Sequence, residues 1–308
     1  MNGAYITKLM ELAQKDKNII HLLADSGTGY DEMFRRNFPD QIYNFGIAEE
    51  NMIAAAAGMA TVARIPFAFT AGAFLAYRSL EFIRDDICFQ NLNVKIVGMG
   101  SGLSWSSLGP THHTTEDISV LRALPNLMIL SPATPRQVSA AVETAYKHQG
   151  PVYIKIGMNK EKEFFDENYN FDLSKNDIMR QGTDIAIYTT GSILKEADEA
   201  ASLLENDGIS TKLVNVTSIK PFSKTDLVET LEKTRIIFVI EEHSIYGGLA
   251  GIISETICYN GLSARVCPIG LNDVFASGYG THELVRKSNK LDAINIHARI
   301  KEFLNERI

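Results

Sequence analysis

The sequence predicts an α/β protein made of two doubly wound domains, each built on a mainly parallel sheet. Short runs rich in β-branched residues alternate with amphipathic segments along most of the 308 residues. A charged segment without periodicity, residues 158–181, divides this alternation into two parts. The composition, 45% hydrophobic and 22% charged, supplies enough apolar material for two cores of ordinary size.

The first part, residues 1–157, contains a series of predicted strands bounded by turn residues. They are "NIIHLLAD" (18–25), "IYNF" (42–45), "PFAFTA" (66–71), "NVKIVGMG" (93–100), "NLMILSP" (126–132) and "PVYIKIG" (151–157). The clearest helix is 135–148, which Thr134 can cap and which Pro135 suits as a first residue. Because strands and helices alternate, we expect a parallel sheet with helices on both faces.

The second part, residues 182–308, resumes the alternation after the predicted linker 158–181. Its predicted strands are "DIAIYTTGS", "STKLVNVTSIKP", "RIIFVIEEH" and "ARVCPIGL". A helix near 194–206 has Gly208 where a C-terminal cap is expected. These features predict a second, smaller α/β domain.

Charge and cysteine content exclude several classes of function. The net charge of −7 disfavours nucleic acid as a partner. Cys88, Cys258 and Cys267 are odd in number and lack CxxC spacing, so we expect buried thiols rather than a disulfide framework or a zinc site. No segment resembles a signal peptide or approaches the ~18 consecutive apolar residues of a membrane span. We therefore expect a cytoplasmic protein with no membrane partner.

Two adjacent acids, Glu49 and Glu50, stand at the start of the small-residue segment "FGIAEENMIAAAAGMA" (45–60). The residues alone leave two interpretations open. Both acids can favour the positive N-terminus of a helix and face water, or one of them can be buried as a carboxylate that handles protons. The small residues behind them allow close packing, which suits contact with a second chain.

Three further segments carry side chains that could take part in binding or catalysis. In "SSLGPTHHTTED" (106–117), His112 and His113 suit either a surface loop or proton transfer. Metal binding by this pair is not expected, because adjacent side chains point apart and no third ligand has suitable spacing. The aromatic residues of 71–88 have a spacing typical of a core. The glycine-rich "YGGLAG" (246–251) is a weak candidate for phosphate binding.

Taken in order, these segments resemble the thiamine diphosphate enzymes of the transketolase family, which include 1-deoxyxylulose-5-phosphate synthase. "FGIAEENMIAAAAGMA" is similar to the motif with the cofactor-contacting glutamate, and "AGAFLAYRSLEFIRDD" to the aromatic stretch around the aminopyrimidine. "GPTHHTTEDISVLRALPNLMILSPATPRQ" is similar to the segment with an active-site histidine. "GTDIAIYTTGS", "TSIKPF" and "EEHSIYGGLAG" resemble the C-terminal domain, so the resemblance covers nearly the whole chain.

The resemblance implies a pyrimidine-binding domain followed by a transketolase C-terminal domain. The diphosphate-binding domain of the family, with its Gly-Asp-Gly…Asn metal motif, does not precede them here. The chain therefore looks like the C-terminal subunit of a split transketolase, inactive without an N-terminal partner subunit that carries the magnesium ligands. The family also implies self-association through the pyrimidine domain, in a two-plus-two heterotetramer.

The same resemblance implies roles for individual residues. Glu49 would hydrogen-bond the pyrimidine ring of thiamine diphosphate in a dry pocket, and Glu50 would remain structural. Phe74 and Tyr77 would pack on the pyrimidine, and Asp25 would also contact the cofactor. His112 would exchange protons with the substrate or intermediate.

Three positions depart from the sugar-phosphate pattern of the family. Leu108 stands where transketolases carry an aspartate, and arginines expected near Met158 and Asn2 are missing. Lys155, Lys160 or His113 could compensate. Because charge-assisted pairs are strong, these losses imply an altered donor or acceptor, such as a specialised sugar or a 2-oxo acid, in the transfer of a two-carbon ketol or acyl unit to an aldehyde.

Two alternative functions remain open. The chain also has the length and two domains of the beta chain of a 2-oxoacid dehydrogenase decarboxylase component, although the histidine segment of that group usually differs from "GPTHH". A non-catalytic subunit of the same fold is the other alternative, and the presence of Glu49 and His112 disfavours it.

Overall fold

The computed structural model describes residues 1–26 and 29–306. Its strands are β1 (Ile19–Leu23), β2 (Ile42–Asn44), β3 (Ile65–Ala71), β4 (Lys95–Met99), β5 (Met128–Leu130), β6 (Val152–Ile156), β7 (Asp177–Arg180), β8 (Ile185–Thr189), β9 (Thr211–Asn215), β10 (Ser218–Lys220), β11 (Ile236–Ser244) and β12 (Arg265–Leu271). Its helices are α1 (Asn2–Ala13), α2 (Gly29–Asn37), α3 (Glu49–Thr61), α4 (Leu80–Phe82), α5 (Asp117–Leu121), α6 (Pro135–Lys147), α7 (Leu194–Asn206), α8 (Thr225–Leu231), α9 (Leu249–Tyr259), α10 (His282–Ser288) and α11 (Ala293–Asn305).

The strands form two mainly parallel sheets, which confirms the predicted fold class. The first sheet has the order β10-β5-β6-β4-β3-β1-β2, and only the pair of β10 with β5 is antiparallel. The second has the order β12-β11-β8-β9-β7, and only β7 pairs antiparallel, with β9. Most central strands are buried along their whole length, as expected for sheets covered on both faces.

Two strands differ from the sequence-based expectation. The stretch "STKLVNVTSIKP" is not a single strand: its first part is β9 in the second sheet, and β10 crosses to the edge of the first sheet. Within the predicted linker 158–181, residues Asp177–Arg180 form β7, a strand that the sequence pattern does not predict. Both are short edge strands, and their pairing depends on tertiary neighbours rather than on local periodicity.

The helices agree more closely with the sequence. The Thr134 hydroxyl caps α6 by accepting the N–H of Gln137 at 3.2 Å, as predicted. Helix α7 spans the predicted residues, and Gly208 just beyond it has φ +83°. The aromatic segment is helical, with π-helical turns at Phe74–Arg78 and Ile83–Cys88 on either side of α4. Such turns are rare in proteins overall, and those that occur are often found at functional sites.

The three cysteines differ in their exposure to solvent. Cys88 is buried as expected, but Cys258 is exposed and Cys267 is half-buried, so the expectation of burial is wrong for these two. Among residues 1–26 and 29–306, no helix combines the length and the apolar character needed to cross a bilayer.

Candidate active site

The predicted site residues follow neighbouring strands of the first sheet at their carboxyl ends. Asp25 comes after β1, Glu49 after β2 and Phe74 after β3, and His112 lies in the long connection after β4. The chain order reverses around β1, whose neighbours are β2 and β3. Open α/β sheets bind ligands in the crevice outside the carboxyl ends of strands at such a reversal. The fold therefore gathers these four residues at one edge.

Glu49 is the first residue of α3 and is only 1% exposed. It follows a turn in which Gly46 has φ +68°, a conformation that glycine adopts without strain. Its Oε2 accepts a hydrogen bond from Arg78 Nη1 at 2.7 Å. Its Oε1 has no hydrogen-bond partner among the described residues, and the neighbouring Glu50 is half-buried. The structure thus separates two acids that the sequence alone left equivalent.

Arg78, Phe74, His112 and Trp105 extend from Glu49 as a continuous cluster. The Arg78 guanidinium carbon lies 5.3 Å from the centroid of the Phe74 ring. The Phe74 and His112 ring centroids are 5.0 Å apart at 72°, an edge-to-face contact. The Trp105 ring lies 6.1 Å from that of His112. We call these five residues the Glu49–His112 cluster.

Sequence reasoning missed two members of this cluster, Arg78 and Trp105. Arg78 lies four positions after Phe74 on a helical segment, where side chains meet, and this spacing could have placed it near the aromatic ring. Trp105 is the single tryptophan of the chain. Nothing in its local pattern places it beside His112, because both lie in an irregular loop.

Tyr77 connects the aromatic segment to the residues after His112. Its hydroxyl donates to Glu116 Oε2 at 2.8 Å and accepts the Glu116 N–H at 2.9 Å. Partial burial of Tyr77, which remains 37% exposed, raises its pKa well above the usual value, together with the charges of Asp117 and Glu116. The hydroxyl is therefore a stable hydrogen-bond donor.

Asp25 is exposed at the end of β1, with φ +51°. Its N–H donates to Asn44 Oδ1 at 3.0 Å, and the same oxygen accepts the Gly46 N–H at 3.0 Å. Asn44 thus ties the turn after β1 to the turn that leads into α3, which brings Asp25 to the same edge as Glu49.

The two histidines occupy different environments. His112 is half-buried, and its Nδ1 lies 2.9 Å from the Thr111 hydroxyl. His113 is 3% exposed, and neither ring nitrogen has a hydrogen-bond partner among residues 1–26 and 29–306. Burial lowers the pKa of His113, and the nearby charge of Glu242 partly opposes this. In the same described residues, no group of three or more histidine, cysteine or acidic side chains could hold a metal ion.

The His113→Gln variant is expected to lose less stability than the wild type when the pH falls into the mildly acidic range. The folded-state pKa of His113 lies below the unfolded value near 6.5, so the unfolded chain takes up this proton first as the pH falls. Stability is then lost from about pH 6.5 downward through the folded pKa. Urea denaturation of both proteins between pH 7.5 and 5 measures the effect. Parallel pH profiles would contradict the burial of a neutral ring.

Lys155, a candidate for a compensating substrate contact, is committed to an internal ion pair. Its Nζ lies 2.5 Å from Asp117 Oδ1 and 3.0 Å from the Thr114 carbonyl oxygen, and it is buried. Asp117 Oδ2 also accepts a hydrogen bond from the Tyr153 hydroxyl at 2.7 Å. Because a buried pair is costly to break, these contacts remove Lys155 from the candidates.

Asn2, Met158 and Lys160 line one cavity of about 480 Å³, although the sequence separates the first from the other two. Asn2 Nδ2 donates to Met99 Sδ at 2.9 Å, and Asn2 Oδ1 is buried without a partner in the described part of the chain. Lys160 is exposed and makes no ion pair with a described residue. Leu108 is exposed in the loop that carries His112.

The glycine-rich "YGGLAG" leads into α9, but its helix N-terminus already holds an internal anion. The Glu241 carboxylate accepts the N–H of Leu249 at 2.6 Å and that of Ala250 at 3.0 Å. These are the groups that a phosphate would use. Because Glu241 already occupies these two N–H groups, the structure disfavours phosphate binding at this turn.

The two sheets define a two-domain α/β protein, and the acidic, aromatic and histidine side chains at the carboxyl edge of the first sheet form a candidate ligand site. Residues 1–158 match the transketolase pyrimidine-binding domain, and residues 174–293 match the transketolase C-terminal domain. The chain belongs to the transketolase family. Enzymes of this family are generally dependent on thiamine diphosphate.

Several similar proteins are named as transketolase subunits. The chain is 31% identical to one of the subunits of an apulose-4-phosphate transketolase from Actinobacillus succinogenes, over 94% of both chains. It is 32% identical to a 6-deoxy-6-sulfo-D-fructose transketolase subunit from a Clostridium species, again over 94% of each. A solved structure described as a split gene transketolase, inactive beta4 tetramer, superposes with a TM-score of 0.87 at 34% identity, covering 98% of this chain and 96% of the other.

Proposed function

We propose that this chain is the C-terminal subunit of a split transketolase-like enzyme that uses thiamine diphosphate. The enzyme transfers a two-carbon ketol or acyl unit from a ketose or 2-oxo acid donor to an aldehyde acceptor. The observation that carries the proposal is the buried Glu49, with one carboxylate oxygen held by Arg78 and the other unpartnered among the described residues, in the same cluster as His112. Residues 1–157 and 182–308 would form the pyrimidine-binding and C-terminal domains, and β7 of the connecting segment 158–181 adds a strand to the second sheet.

Glu49, Phe74, Tyr77 and Asp25 fit the pyrimidine half of the cofactor. The Glu49 side chain is almost fully buried and its Oε1 has no partner among the described residues, so this oxygen suits a hydrogen bond to a ring nitrogen, and such a bond is strong at low local dielectric. The Phe74 and Tyr77 rings offer apolar surface to an aromatic heterocycle. When bound, the cofactor supplies a carbanion at its thiazolium carbon and an electron sink. Arg78 orients the Glu49 carboxylate through Oε2.

His112 would exchange a proton with the substrate. The Thr111 hydroxyl occupies the Nδ1 side of the ring, and this leaves Nε2 for the reacting group. A half-buried imidazole suits both uptake and release of a proton. The edge contact with Phe74 holds the ring close to the proposed pyrimidine position.

A partner subunit would complete the site. We expect the N-terminal transketolase subunit to supply the diphosphate-binding domain and the magnesium ligands. Ile47 and Val62 lie just outside the two ends of α3 and are 76% and 69% exposed. Gly58, between them, is also exposed. Apolar and small residues together suit a close chain-to-chain contact, which supports self-association of the pyrimidine domains in a two-plus-two assembly.

The cavity lined by Asn2, Met158 and Lys160 supports an altered substrate. It offers an amide, a thioether and one exposed lysine where a sugar-phosphate enzyme would place arginines. With Leu108 in place of an acid, the proposed substrate is a specialised sugar or a 2-oxo acid rather than a common pentose phosphate.

Reconstitution tests the proposal. The purified chain alone is expected to transfer no two-carbon unit, whereas mixing it with the N-terminal subunit, thiamine diphosphate and Mg²⁺ should generate activity with one member of a panel of ketose and 2-oxo acid donors. Product analysis by mass spectrometry identifies the donor and acceptor. Absence of turnover with every donor would refute the enzyme proposal. Xylulose 5-phosphate turnover equal to that of the best donor would refute the altered specificity alone.

A further inference from the structure

The loop that carries His112 is held by the second domain. We call residues 100–116, which connect β4 to α5, the His112 loop. The Leu103 N–H donates to Glu242 Oε2 at 3.2 Å. At the other end of the loop, the Ser244 N–H donates to the Thr115 carbonyl oxygen at 2.7 Å. Both partners lie on β11 of the second sheet, so one strand holds both ends of the loop.

The middle of the His112 loop meets a second element of the same domain. The Ser106 hydroxyl donates to the Gly280 carbonyl oxygen at 2.8 Å, and the Gly280 N–H donates to the Ser106 carbonyl oxygen at 3.2 Å. The Tyr279 ring packs on Gly109, where an added Cβ would lie 2.3 Å from a ring carbon. Gly109 also has φ +77° and stands three residues before His112. The contact therefore lies within a few residues of the imidazole.

Glu242 is a rigid anchor for these contacts. It is buried, its Oε1 accepts a hydrogen bond from Arg286 Nε, and His282 Nε2 lies 2.8 Å from the same oxygen. Burial alone would raise the pKa of Glu242, but Arg286 and His282 hold it well below its usual range. The loop also approaches very closely at Gly102, where a Cβ would lie 2.3 Å from Glu242 Oε2. A charged, doubly held carboxylate gives the Leu103 N–H a fixed acceptor.

The proposed cofactor-binding half of the site has no such support. Glu49 and Arg78 bond to each other, and Phe74 contacts Arg78 and His112. Within residues 1–26 and 29–306, no hydrogen bond of Glu49 or Arg78 reaches the second domain. The second domain thus acts on one part of the Glu49–His112 cluster and leaves the other to the first domain.

We propose that the second domain clamps the His112 loop, with Glu242, Tyr279 and Ser106 as positioning residues for the imidazole. This proposal rests on the proposed role of His112 in proton exchange. The Gly102–Thr114 bridge closes the base of this loop, but residues 103–113 form no helix or strand and would otherwise sample many conformations. A displacement of about 1 Å can reduce a rate on the order of 10²-fold, so fixing the loop supports turnover without contact to the substrate.

The first test uses the full chain alone. The Tyr279→Ala/Ser106→Ala double variant is expected to exchange the backbone amides of the His112 loop at least tenfold faster, while the amides of α3 exchange as in the wild type. Tyr279→Phe keeps the ring on Gly109 and should restore slow exchange in combination with native Ser106. Tyr259→Ala, at an 82% exposed tyrosine at the end of α9, is the matched control and should leave exchange unchanged.

The second test uses the complex with the N-terminal subunit. The double variant should lower kcat about tenfold or more with the KM for thiamine diphosphate unchanged, whereas Tyr279→Phe and Tyr259→Ala should match the wild type. Glu242→Gln addresses the anchor itself, but it leaves Arg286 partly uncompensated and can unfold the chain, so the surface variants decide the question. Exchange in the double variant within twofold of the control overturns the clamp. An inactive wild-type complex with accelerated exchange in the variant overturns the proposed enzyme function, and with it the role of His112, but supports the clamp.

Discussion

The Glu49→Ala variant of the assembled enzyme is expected to lose about 10²- to 10⁴-fold in kcat, the usual range for a removed proton-handling group. The carboxylate is nearly fully buried, and its Oε1 is the proposed acceptor for the cofactor ring. The loss should not arise from unfolding, because Arg78 is substantially exposed and water can solvate its charge. Steady-state kinetics of the complex, with circular dichroism of the variant to verify folding, provide the measurement.

Glu50→Ala is the matched control for this experiment. Glu50 is the next residue of the same helix, half-buried, and outside the Glu49–His112 cluster. Its replacement should keep kcat within about threefold of the wild type, because a partly exposed helical acid contributes little. Equal activity of Glu49→Ala and the wild type would favour a non-catalytic subunit of the same fold.

A second large effect is expected for His112→Asn. Asparagine preserves a polar side chain of moderate size but cannot exchange a proton near neutral pH. The kcat of the complex should fall about 10²-fold or more. Affinity for thiamine diphosphate should stay the same, because His112 has an edge-to-face contact with Phe74 and no hydrogen bond with Glu49. Cofactor titration and the pH dependence of kcat measure the two effects separately.

The effects of His112→Asn on cofactor binding and on turnover together distinguish the possible roles of the imidazole. If His112→Asn weakened cofactor binding as strongly as turnover, the imidazole would act as part of the binding surface rather than in proton exchange. If it changed neither, the proton would have to pass through another group. The pH dependence of kcat for the wild type should contain a limb that the variant lacks.

The elements with strong local signals were predictable from sequence. Helix α6 has a capping threonine, a proline in its first turn and one apolar face, and these three signals agree. The buried strands of the first sheet are short apolar runs between turns. Each observed strand begins and ends within two residues of its predicted bounds. Glu49 could be singled out through the family resemblance, but its burial and its bond to Arg78 required the fold.

Long-range contacts were not predictable in the same way. The pairing of β10 with β5 joins positions about ninety residues apart, and the three residues of β10 are too few for a periodic pattern. The bonds from Leu103 to Glu242 and from Ser106 to Gly280 cross still longer separations. The side chains of Glu242 and Ser106 resemble ordinary surface residues in sequence, and only the packing of the two domains gives them a partner.

The position of β10 makes the two halves of the chain physically inseparable. A protein truncated at residue 157 would retain β1 to β6 but lose the strand that covers the outer edge of β5. The bared edge would present unpaired amide and carbonyl groups, a template for aggregation. A fragment that begins at residue 182 would carry β10 with no sheet to join. A chimera built from two related proteins therefore has to exchange the whole chain as one unit.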